Sequence, residues 1–356
     1  MTGGATAQHV CVAQDLISTQ AHGYSGPWAF LWILPETGIQ PAAARFQTLK
    51  RGASIDAPPG HYLLAMHGIA MKKILIQLDT DPQPSTFDRV VAIDADVDHL
   101  FSYGGVSPET VESIVHGAIF TRGMKDLANT AIFIGGSNVA AGEALLKRVR
   151  DAFFGPLRVS VMMDSNGSNT TAAAAVLLAG KHLPSAGITA VILAGTGPVG
   201  LRAAQLLATG GARVRLASRS LDRAAQACKT ICSTLAMNAD VTPCETEKID
   251  NLERACQGAD LVIAAGAAGT ELLPANLRKS LSSLKVAIDL NAVPPAGIAG
   301  IEVVDKGIER DGVICYGAIG VGGLKMKIHK AVLRKLFEAN DQILECGGIY
   351  ALGETL

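Results

Sequence analysis

The sequence feature that most constrains this fold is a glycine-rich turn between two short apolar runs. The first run covers residues 190–194, and the turn after it reads Gly195, Thr196, Gly197, Pro198, Val199 and Gly200. An apolar helical pattern then ends at Gly210 and Gly211, before a second apolar run over residues 214–217. Glycines with this spacing between a strand and a helix are typical of a turn that binds a dinucleotide. The alternative is an ordinary glycine-rich turn.

The three glycines have separate expected roles. Gly195 permits the tight turn, Gly197 lets the backbone approach a pyrophosphate, and Gly200 lets the helix pack closely on the strand. The phosphates would accept hydrogen bonds from free N–H groups at the start of the helix, where the helix dipole favours anions. We therefore predict that the whole turn, residues 195–200, contacts the cofactor.

The end of the second strand favours NADP over NAD. An NAD site usually has Asp or Glu about 20 residues after the first glycine, whereas this chain has Ser218, Arg219 and Ser220, with Arg223 further on. The Arg219 guanidinium can pair with a 2′-phosphate, and the two serines can donate to it. The alternative is that Arg219 is solvated and Ser220 only caps the next helix.

Two later apolar runs, over residues 261–264 and 286–290, predict further buried parallel strands of the same domain. Ala265 and Gly266 follow the first run, and Asn291 follows the second. Because ligands of such sheets bind at the carboxyl ends of the strands, we expect these three residues beside the cofactor.

The composition is that of an α/β enzyme. The chain has 356 residues, of which 49% are hydrophobic and 38 are glycine, and this length predicts two domains. A net charge of −1 gives no support for nucleic-acid binding, and no apolar run reaches the roughly 18 residues of a membrane span. Seven cysteines without metal-ligand spacing indicate free thiols in a reducing cytoplasm. Metal ligation by Cys228 and Cys232 is the less favoured alternative.

Residues 1–70 differ from the rest of the chain. Charges are sparse there, both tryptophans (Trp28 and Trp32) lie there, and neither a helical nor a strand period is sustained. Regular patterning begins at Met71. Our hypothesis is that residues 1–70 form a dispensable, poorly ordered extension, either a genuine tail or an upstream extension of the reading frame.

From Met71 onwards strands alternate with helices, which predicts parallel sheets with helices on both faces. Strands are expected over residues 74–78, 99–103, 131–134 and 159–163, with helices over 85–91, 107–116, 140–154 and 172–181. The predicted domains are an α/β substrate-binding domain (71–168), a linking helix (169–186), a Rossmann-type NADP domain (187–320) and C-terminal helices packing back on the substrate domain (321–356). The active-site cleft is expected between the two domains.

Two polar features lie at expected ligand positions. A dense polar loop over residues 164–171 follows a strand, and the helix predicted over residues 320–339 opens on glycines. Lys325 follows Gly322 and Gly323 at the expected start of this helix. A cation is unfavourable there because of the helix dipole, which is a mild indication of function.

Several separate stretches together resemble one family. They are DSNGSNTTAAAA (164–175), AGTGPVG (194–200), DLNAVPPAGIAGI (289–301) and GAIGVGGLKMKIH (317–329), with FTRG (120–123) and TAIFIGG (130–136) in addition. In this order they resemble the NADP-dependent methylene-tetrahydromethanopterin dehydrogenases of bacterial one-carbon metabolism. The resemblance extends from Met71 nearly to the end of the chain, and residues 1–70 lie outside it.

The resemblance implies reversible oxidation of 5,10-methylene-tetrahydromethanopterin to the methenyl form by NADP. Some members of the family also accept methylene-tetrahydrofolate, and the motifs do not reveal which pterin is used here. The reaction needs no general base, because the two pterin nitrogens stabilise the amidinium-like product. Orientation of the two rings is the main requirement. This agrees with a sequence that shows no Ser-His-Asp set, no metal signature and no paired carboxylates.

The resemblance and the position of each residue select the candidate site. Lys325 is the catalytic candidate, and a plain surface lysine is its alternative. Loop capping is the alternative for the main substrate-binding candidates, which are Asp164, Asn166, Ser168 and Asn169. Asp88 and Arg122 are weaker candidates, and three histidines without supporting partners are expected to be structural: His116, His182 and His329. The expected assembly is a homo-oligomer, with a trimer as the first guess.

Two other classes of function stay open. One is a different NADP oxidoreductase of this architecture, such as a methylene-tetrahydrofolate dehydrogenase or an enzyme like shikimate dehydrogenase. The other is a non-enzymatic NADP-binding sensor, which would bind NADPH and turn over neither pterin.

Overall fold

The computed structural model describes residues 71–235 and 239–356. The hypothesis about residues 1–70 lies outside the described residues. Within the described residues, no helix is long and apolar enough to cross a membrane.

The first part of the chain alternates strands and helices, each strand being followed by a helix. In order these elements are β1 (Ile74–Asp79), α1 (Thr86–Asp94), β2 (His99–Tyr103), α2 (Val111–Phe120), β3 (Thr130–Gly135), α3 (Val139–Asp151), β4 (Ser160–Met163) and α4 (Ser168–Gly180). Single stretches of 3₁₀ helix precede β3 (Met124–Asn129) and α4 (Ser165–Gly167).

The second part repeats this alternation and then returns to the first. Its elements are β5 (Thr189–Leu193), α5 (Pro198–Thr209), β6 (Arg213–Ser218), α6 (Leu221–Thr234), β7 (Val241–Glu245), α7 (Ile249–Cys256), β8 (Leu261–Ala264), α8 (Ala275–Ser280), β9 (Val286–Asp289), β10 (Lys306–Arg310), β11 (Val313–Tyr316), α9 (Ala318–Lys335), β12 (Ile343–Leu344) and α10 (Cys346–Gly353).

The strands form two sheets, and each sheet is the centre of a lobe. The first sheet has the order β12-β4-β3-β1-β2 with every pairing parallel. The second has the order β10-β11-β9-β8-β5-β6-β7, in which only β10 is antiparallel to its neighbour. The central strands of both sheets are buried hydrophobic runs, as expected for sheets covered on both faces, whereas the edge strands β2, β7 and β10 are partly exposed. The predicted α/β class, with a doubly wound parallel sheet in the second lobe, is confirmed.

Helix α4 is the common packing surface of the two lobes. It contacts α5 from the second lobe and both C-terminal helices, α9 and α10. The run Ala172–Ala175 is completely buried, so α4 is enclosed on all sides rather than on one face. Alanine side chains allow this because they let neighbouring helices approach closely without loss of packing density.

Two helices, α2 and α4, begin several residues away from their predicted starts. Helix α2 begins at Val111 because Ser107 and Thr110 hydrogen-bond to one another in a turn that precedes it. Helix α4 begins at Ser168, inside the stretch expected to be a polar loop. Local capping chemistry therefore placed these starts only to within three or four residues.

The start of α9 was predicted wrongly, and this changes the reasoning about Lys325. The helix begins at Ala318 with Gly317 as its N-cap, so Lys325 lies in the third turn and not in the first. A Cβ at Gly317 would lie 2.1 Å from the Glu302 carbonyl oxygen, and one at Gly320 would lie 1.8 Å from the Asp305 carbonyl oxygen. These glycines are therefore required where the first turns of α9 pack against other backbone. The dipole argument for Lys325 does not hold.

Candidate active site

A cavity of about 340 Å³ lies at the carboxyl ends of β1 and β3, beside the start of α4. The connections after these two strands supply most of its walls, and α9 closes one side. Most of the residues that line it are polar by type, and they are Asp81, Gln83, Ser85, Phe87, Asp88, Gly136, Ser137, Asn166, Gly167, Thr171 and Lys325. Carboxyl ends of parallel strands are where open α/β sheets bind their ligands.

Lys325 is the only lysine that lines this cavity among the described residues. Its Nζ lies 4.3 Å from the centroid of the Phe87 ring and 3.5 Å from His329 Nδ1. Burial lowers the pKa of Lys325, and the carboxyl groups of Asp164 and Asp88 act in the opposite direction. Lys325 is therefore partly buried and lies among other side chains of the cavity, unlike a solvated surface lysine.

Asp164 lies beneath the cavity and is almost completely buried. Its carboxylate accepts hydrogen bonds from the amides of Asn169 at 2.9 Å and Thr170 at 3.0 Å, and from the Thr170 hydroxyl at 2.6 Å. Burial raises the pKa of Asp164 to about 6, although the Lys325 charge lowers it. Asp164 thus caps the start of α4 and also holds, above about pH 6, a negative charge within electrostatic range of Lys325.

Asp88 and Asn166 line the cavity itself. Asp88 lies in the first turn of α1, where Ser85 is the N-cap and its hydroxyl accepts a hydrogen bond from the Asp88 amide. Burial raises the pKa of Asp88. Asn166 adopts a left-handed backbone conformation, with φ of 54°, which Asn tolerates better than most residues.

The other predicted substrate-binding residues are not in the cavity. Ser168 is buried and donates to the Ser165 carbonyl, and Asn169 is buried and donates to the Met163 carbonyl. Both side chains therefore hold the local backbone, as the alternative of loop capping predicts. Arg122 donates to the carbonyls of Lys72 and Asn129, at the amino ends of β1 and β3. Because the cavity is at the opposite ends of these strands, the structure does not bring Arg122 to it.

Asn169 also connects the two lobes. Its side-chain oxygen accepts a hydrogen bond from Arg202 Nε on α5, at 3.0 Å, and the Arg202 guanidinium pairs with Glu143 on α3. Helix α5 is therefore joined through one arginine to both α3 and α4.

The glycine-rich turn combines close packing of two glycines with open space at the third. A Cβ at Gly200 would lie 2.7 Å from the Gly195 Cα, so these two glycines pack against one another. A Cβ at Gly197 would lie 3.7 Å from its nearest neighbour, the Ala265 carbonyl oxygen, so the protein alone does not require glycine there. Helix α5 begins at Pro198 without a side-chain cap, which leaves its first amides free to bind an anion.

A smaller cavity of about 150 Å³ lies at the end of β6. Its lining includes two arginines and no carboxylate: Ala194, Thr196, Ser218, Arg219, Arg223, Thr246, Ala267, Thr270 and Leu272. This composition suits a phosphate group. Ser220 lies outside this lining and instead caps α6, its hydroxyl accepting from the Arg223 amide, which was the predicted alternative.

The remaining predicted cofactor residues lie at the exits of β8 and β9. The Ala265 amide donates to the Leu193 carbonyl, and Gly266 packs against Leu272. The Asn291 side chain donates to the Pro295 carbonyl and accepts from the Val293 amide, both at 3.0 Å. The side-chain polar groups of Asn291 therefore hold its own loop.

Some residues around the cavity were not found from the sequence. Phe87 is half-exposed on α1, and no sequence pattern distinguishes such a residue from an ordinary surface aromatic. Asp81 accepts from both the amide and the hydroxyl of Ser137, joining the loops after β1 and β3. The polar residues after β1 could have been found from the sequence, because they come directly after a buried strand. Arg223 and Thr246 in the smaller cavity likewise follow β6 and β7.

The structure also shows the surroundings of the three histidines and of the two cysteines that lie four residues apart, Cys228 and Cys232. His182 Nε2 lies 2.8 Å from the Tyr316 hydroxyl, and His329 contacts Lys325, so both have partners that the sequence did not reveal. His116 lies 3.9 Å from Glu112. Cys228 and Cys232 are both free thiols, and Cys228 is buried whereas Cys232 is exposed.

A doubly wound sheet with a glycine-rich turn, joined to a second parallel sheet with its own polar cavity, defines the class of two-lobed dinucleotide-dependent oxidoreductases. Comparison with known proteins narrows this class. A family model described as methylene-tetrahydromethanopterin dehydrogenase, N-terminal, matches residues 86–166. The bifunctional protein MdtA of Methylorubrum extorquens is 47% identical over 287 residues, which cover 80% of this chain and 99% of that protein. The chain belongs to the methylene-tetrahydromethanopterin dehydrogenase family.

A second relative and two solved structures are also similar. The NAD(P)-dependent methylenetetrahydromethanopterin dehydrogenase of the same organism is 33% identical, covering 76% of this chain and 94% of its own. Quinate dehydrogenase from Corynebacterium glutamicum, solved with NAD, has a TM-score of 0.45 at 14% identity and covers 80% of this chain and 99% of its own. A shikimate 5-dehydrogenase from Mycobacterium fortuitum has a TM-score of 0.46 at 13% identity, with the same coverage.

Proposed function

We propose that the protein transfers a hydride reversibly between 5,10-methylene-tetrahydromethanopterin and NADP. The observation that carries this proposal is the cavity in which Lys325 is held near two carboxyl groups, Asp88 and Asp164. The names of the family model and of the second relative support the substrate and the cofactor. Methylene-tetrahydrofolate is the competing substrate.

The residues of the second lobe fit NADP. The free amides at the start of α5 would hold the pyrophosphate, with Gly197 allowing its approach, and Arg219 and Arg223 would hold the 2′-phosphate. NADP supplies the hydride acceptor when it is bound. A lining of two arginines and no carboxylate favours NADP over NAD, because a carboxylate at this position would repel the extra phosphate.

The residues of the first lobe fit a pterin that becomes a cation. Loss of hydride leaves a methenyl pterin with a delocalised positive charge. When Lys325 is protonated and both Asp88 and Asp164 are ionised, these three side chains carry one net negative charge, which stabilises such a product. Lys325 also keeps N–H groups free to donate to the polar edge of the pterin, since its ammonium group has three donors.

The cell location and the assembly are part of the same proposal. Six cysteines of the described residues are free thiols, as is usual in a reducing cytoplasm. We propose a cytoplasmic homo-oligomer. Sedimentation of the purified protein measures the oligomeric state directly.

Two measurements test the proposed function. The first is NADPH formation from each methylene pterin in turn, and no turnover of either would overturn the proposal.

The second is single-turnover hydride transfer by Lys325→Ala at saturating NADP and pterin. We expect a loss on the order of a hundredfold, since small errors in orientation cost that much, with little change in NADP affinity. Lys327→Ala is the matched control, because Lys327 is exposed on the same helix. A Lys325→Ala rate within a factor of a few of wild type would remove Lys325 from the mechanism.

A further inference from the structure

His329 is a buried histidine whose two nitrogens are in very different positions. It lies on α9, one turn after Lys325, and its residue has no exposed surface. Nδ1 lies 3.5 Å from Lys325 Nζ, whereas no described residue provides a hydrogen-bond partner for Nε2. The ring stacks on Phe133 of β3, with centroids 5.6 Å apart and an interplanar angle of 25°.

The contact with a protonated Lys325 selects the tautomer of this ring. A lysine ammonium group has only donors, so Nδ1 is then the acceptor and carries no proton. Burial, and next the Lys325 charge, lower the pKa of His329 to about 3, so the ring is neutral at ordinary pH. The single ring proton is therefore on Nε2, where it has no partner.

An unpaired N–H in the core lowers the stability of a protein, and native structures contain few such groups. An apolar side chain of similar volume at position 329 would pack against Phe133 without this cost. Stability alone therefore does not account for histidine here, whereas the Nδ1 contact with Lys325 does.

We infer that His329 is a positioning residue that holds the Lys325 ammonium group in its working orientation through Nδ1. The inference rests on the proposed role of Lys325. Phe87 faces the same ammonium group, at 4.3 Å, but an aromatic face attracts a cation without selecting one direction for its N–H groups. The imidazole lone pair points in one direction, so His329 determines which donors of Lys325 stay available to the pterin.

The test compares two substitutions of His329. His329→Leu removes both nitrogens, and His329→Asn replaces Nδ1 with an amide group that offers an acceptor oxygen at the same distance along the side chain. For His329→Leu we expect a Tm equal to or above wild type, with kcat reduced roughly tenfold or more and KM for NADP unchanged. For His329→Asn we expect most of the lost kcat to return.

A spectroscopic measurement tests the contact without any substrate. The pKa of Lys325 is followed by NMR of isotope-labelled lysine, with the Lys325 signal assigned by its absence in Lys325→Arg. An acceptor favours the charged form of the lysine, so the Lys325 pKa should fall in His329→Leu and stay near wild type in His329→Asn.

Val332→Ala is the control for packing, because Val332 is buried on the same helix. It should lower Tm and leave both kcat and the Lys325 pKa unchanged. The inference is overturned if His329→Leu keeps wild-type kcat and an unchanged Lys325 pKa, or if Tm and kcat fall together in both His329 variants. A wild-type protein that turns over neither pterin would instead refute the proposed function, and the NMR result would still decide the contact.

Discussion

Lys325 owes its chemical character to side chains that are distant in the sequence. Asp88 lies on α1 and Asp164 precedes α4, yet both carboxyl groups act on the pKa of the lysine on α9. Burial by itself would favour the neutral amine, and the two acids offset this. Burial has the larger effect and lowers the Lys325 pKa, while the two carboxyl groups favour the cation and so limit this change.

At the residue scale, Arg219→Asp is expected to raise the KM for NADP. It should also lower the ratio of the catalytic efficiency with NADP to that with NAD. Loss of one charged phosphate contact costs about 1.5–3 kcal/mol, and the new carboxylate adds repulsion. Steady-state kinetics with both cofactors measure the ratio. Lys229→Asp, at an exposed position on α6, is the control for charge reversal. Equal NAD and NADP efficiencies both before and after the change would show that Arg219 does not select the cofactor.

At the scale of elements, the glycine-rich turn separates two requirements. The fold requires glycine at position 200, because a Cβ there would collide with the Gly195 backbone. At position 197 there is room for a Cβ. The Gly197 backbone also has φ of −76°, which any residue adopts without strain. The described part of the protein therefore does not itself require glycine at position 197, which agrees with the proposal that a ligand approaches the backbone there.

This difference predicts opposite results for two alanine substitutions. Gly197→Ala should keep the Tm of wild type and weaken NADP binding on the order of tenfold, or about 1.4 kcal/mol. Gly200→Ala should lower Tm, since overpacking costs about 1–3 kcal/mol. Thermal unfolding without cofactor and calorimetric titration with NADP measure the two effects. An unchanged NADP affinity in Gly197→Ala would count against a pyrophosphate at this turn.

At the scale of the whole molecule, the chain leaves the second lobe and returns to the first. Helix α9 starts after β11 and pairs with the end of α1, through Lys330 with Asp94 and Arg334 with Asp96. Strand β12 then adds to the edge of the first sheet beside β4. The last part of the chain is therefore structurally part of the first lobe, and it carries Lys325 to the cavity on the way.

A chain that begins at Met71 is expected to fold, to oligomerise like the full-length protein and to be fully active. Regular patterning begins at Met71, and 287 aligned residues already include 99% of the relative MdtA. Activity assays and sedimentation of the shortened protein test this. The control is a chain that ends at Leu336, which lacks β12 and α10 and should be unstable, because both pack on the first lobe. Loss of folding or turnover on removal of residues 1–70 would show that they are a structural element.

The sequence by itself determined the features that neighbouring residues encode. Strands β2 and β8 have the predicted bounds, residues 99–103 and 261–264. The prediction succeeds because alternating or continuous apolar runs bounded by turn residues define a strand locally. The turn over residues 195–200 and the arginine at the end of β6 were selected as candidates for the same reason, since their spacing along the chain is a local feature, and their binding roles stay predictions.

Only the tertiary structure decided which polar residues meet. Arg122 and Asp88 are equally plausible in the sequence, yet the structure places them at opposite ends of the first sheet. The start of α9 depends on its packing against the loop before β10, and the burial of His329 against Phe133 depends on how α9 packs on the first sheet. Such contacts are fixed by how distant elements pack, because burial and hydrogen-bond partners are properties of the assembled core and not of the local sequence.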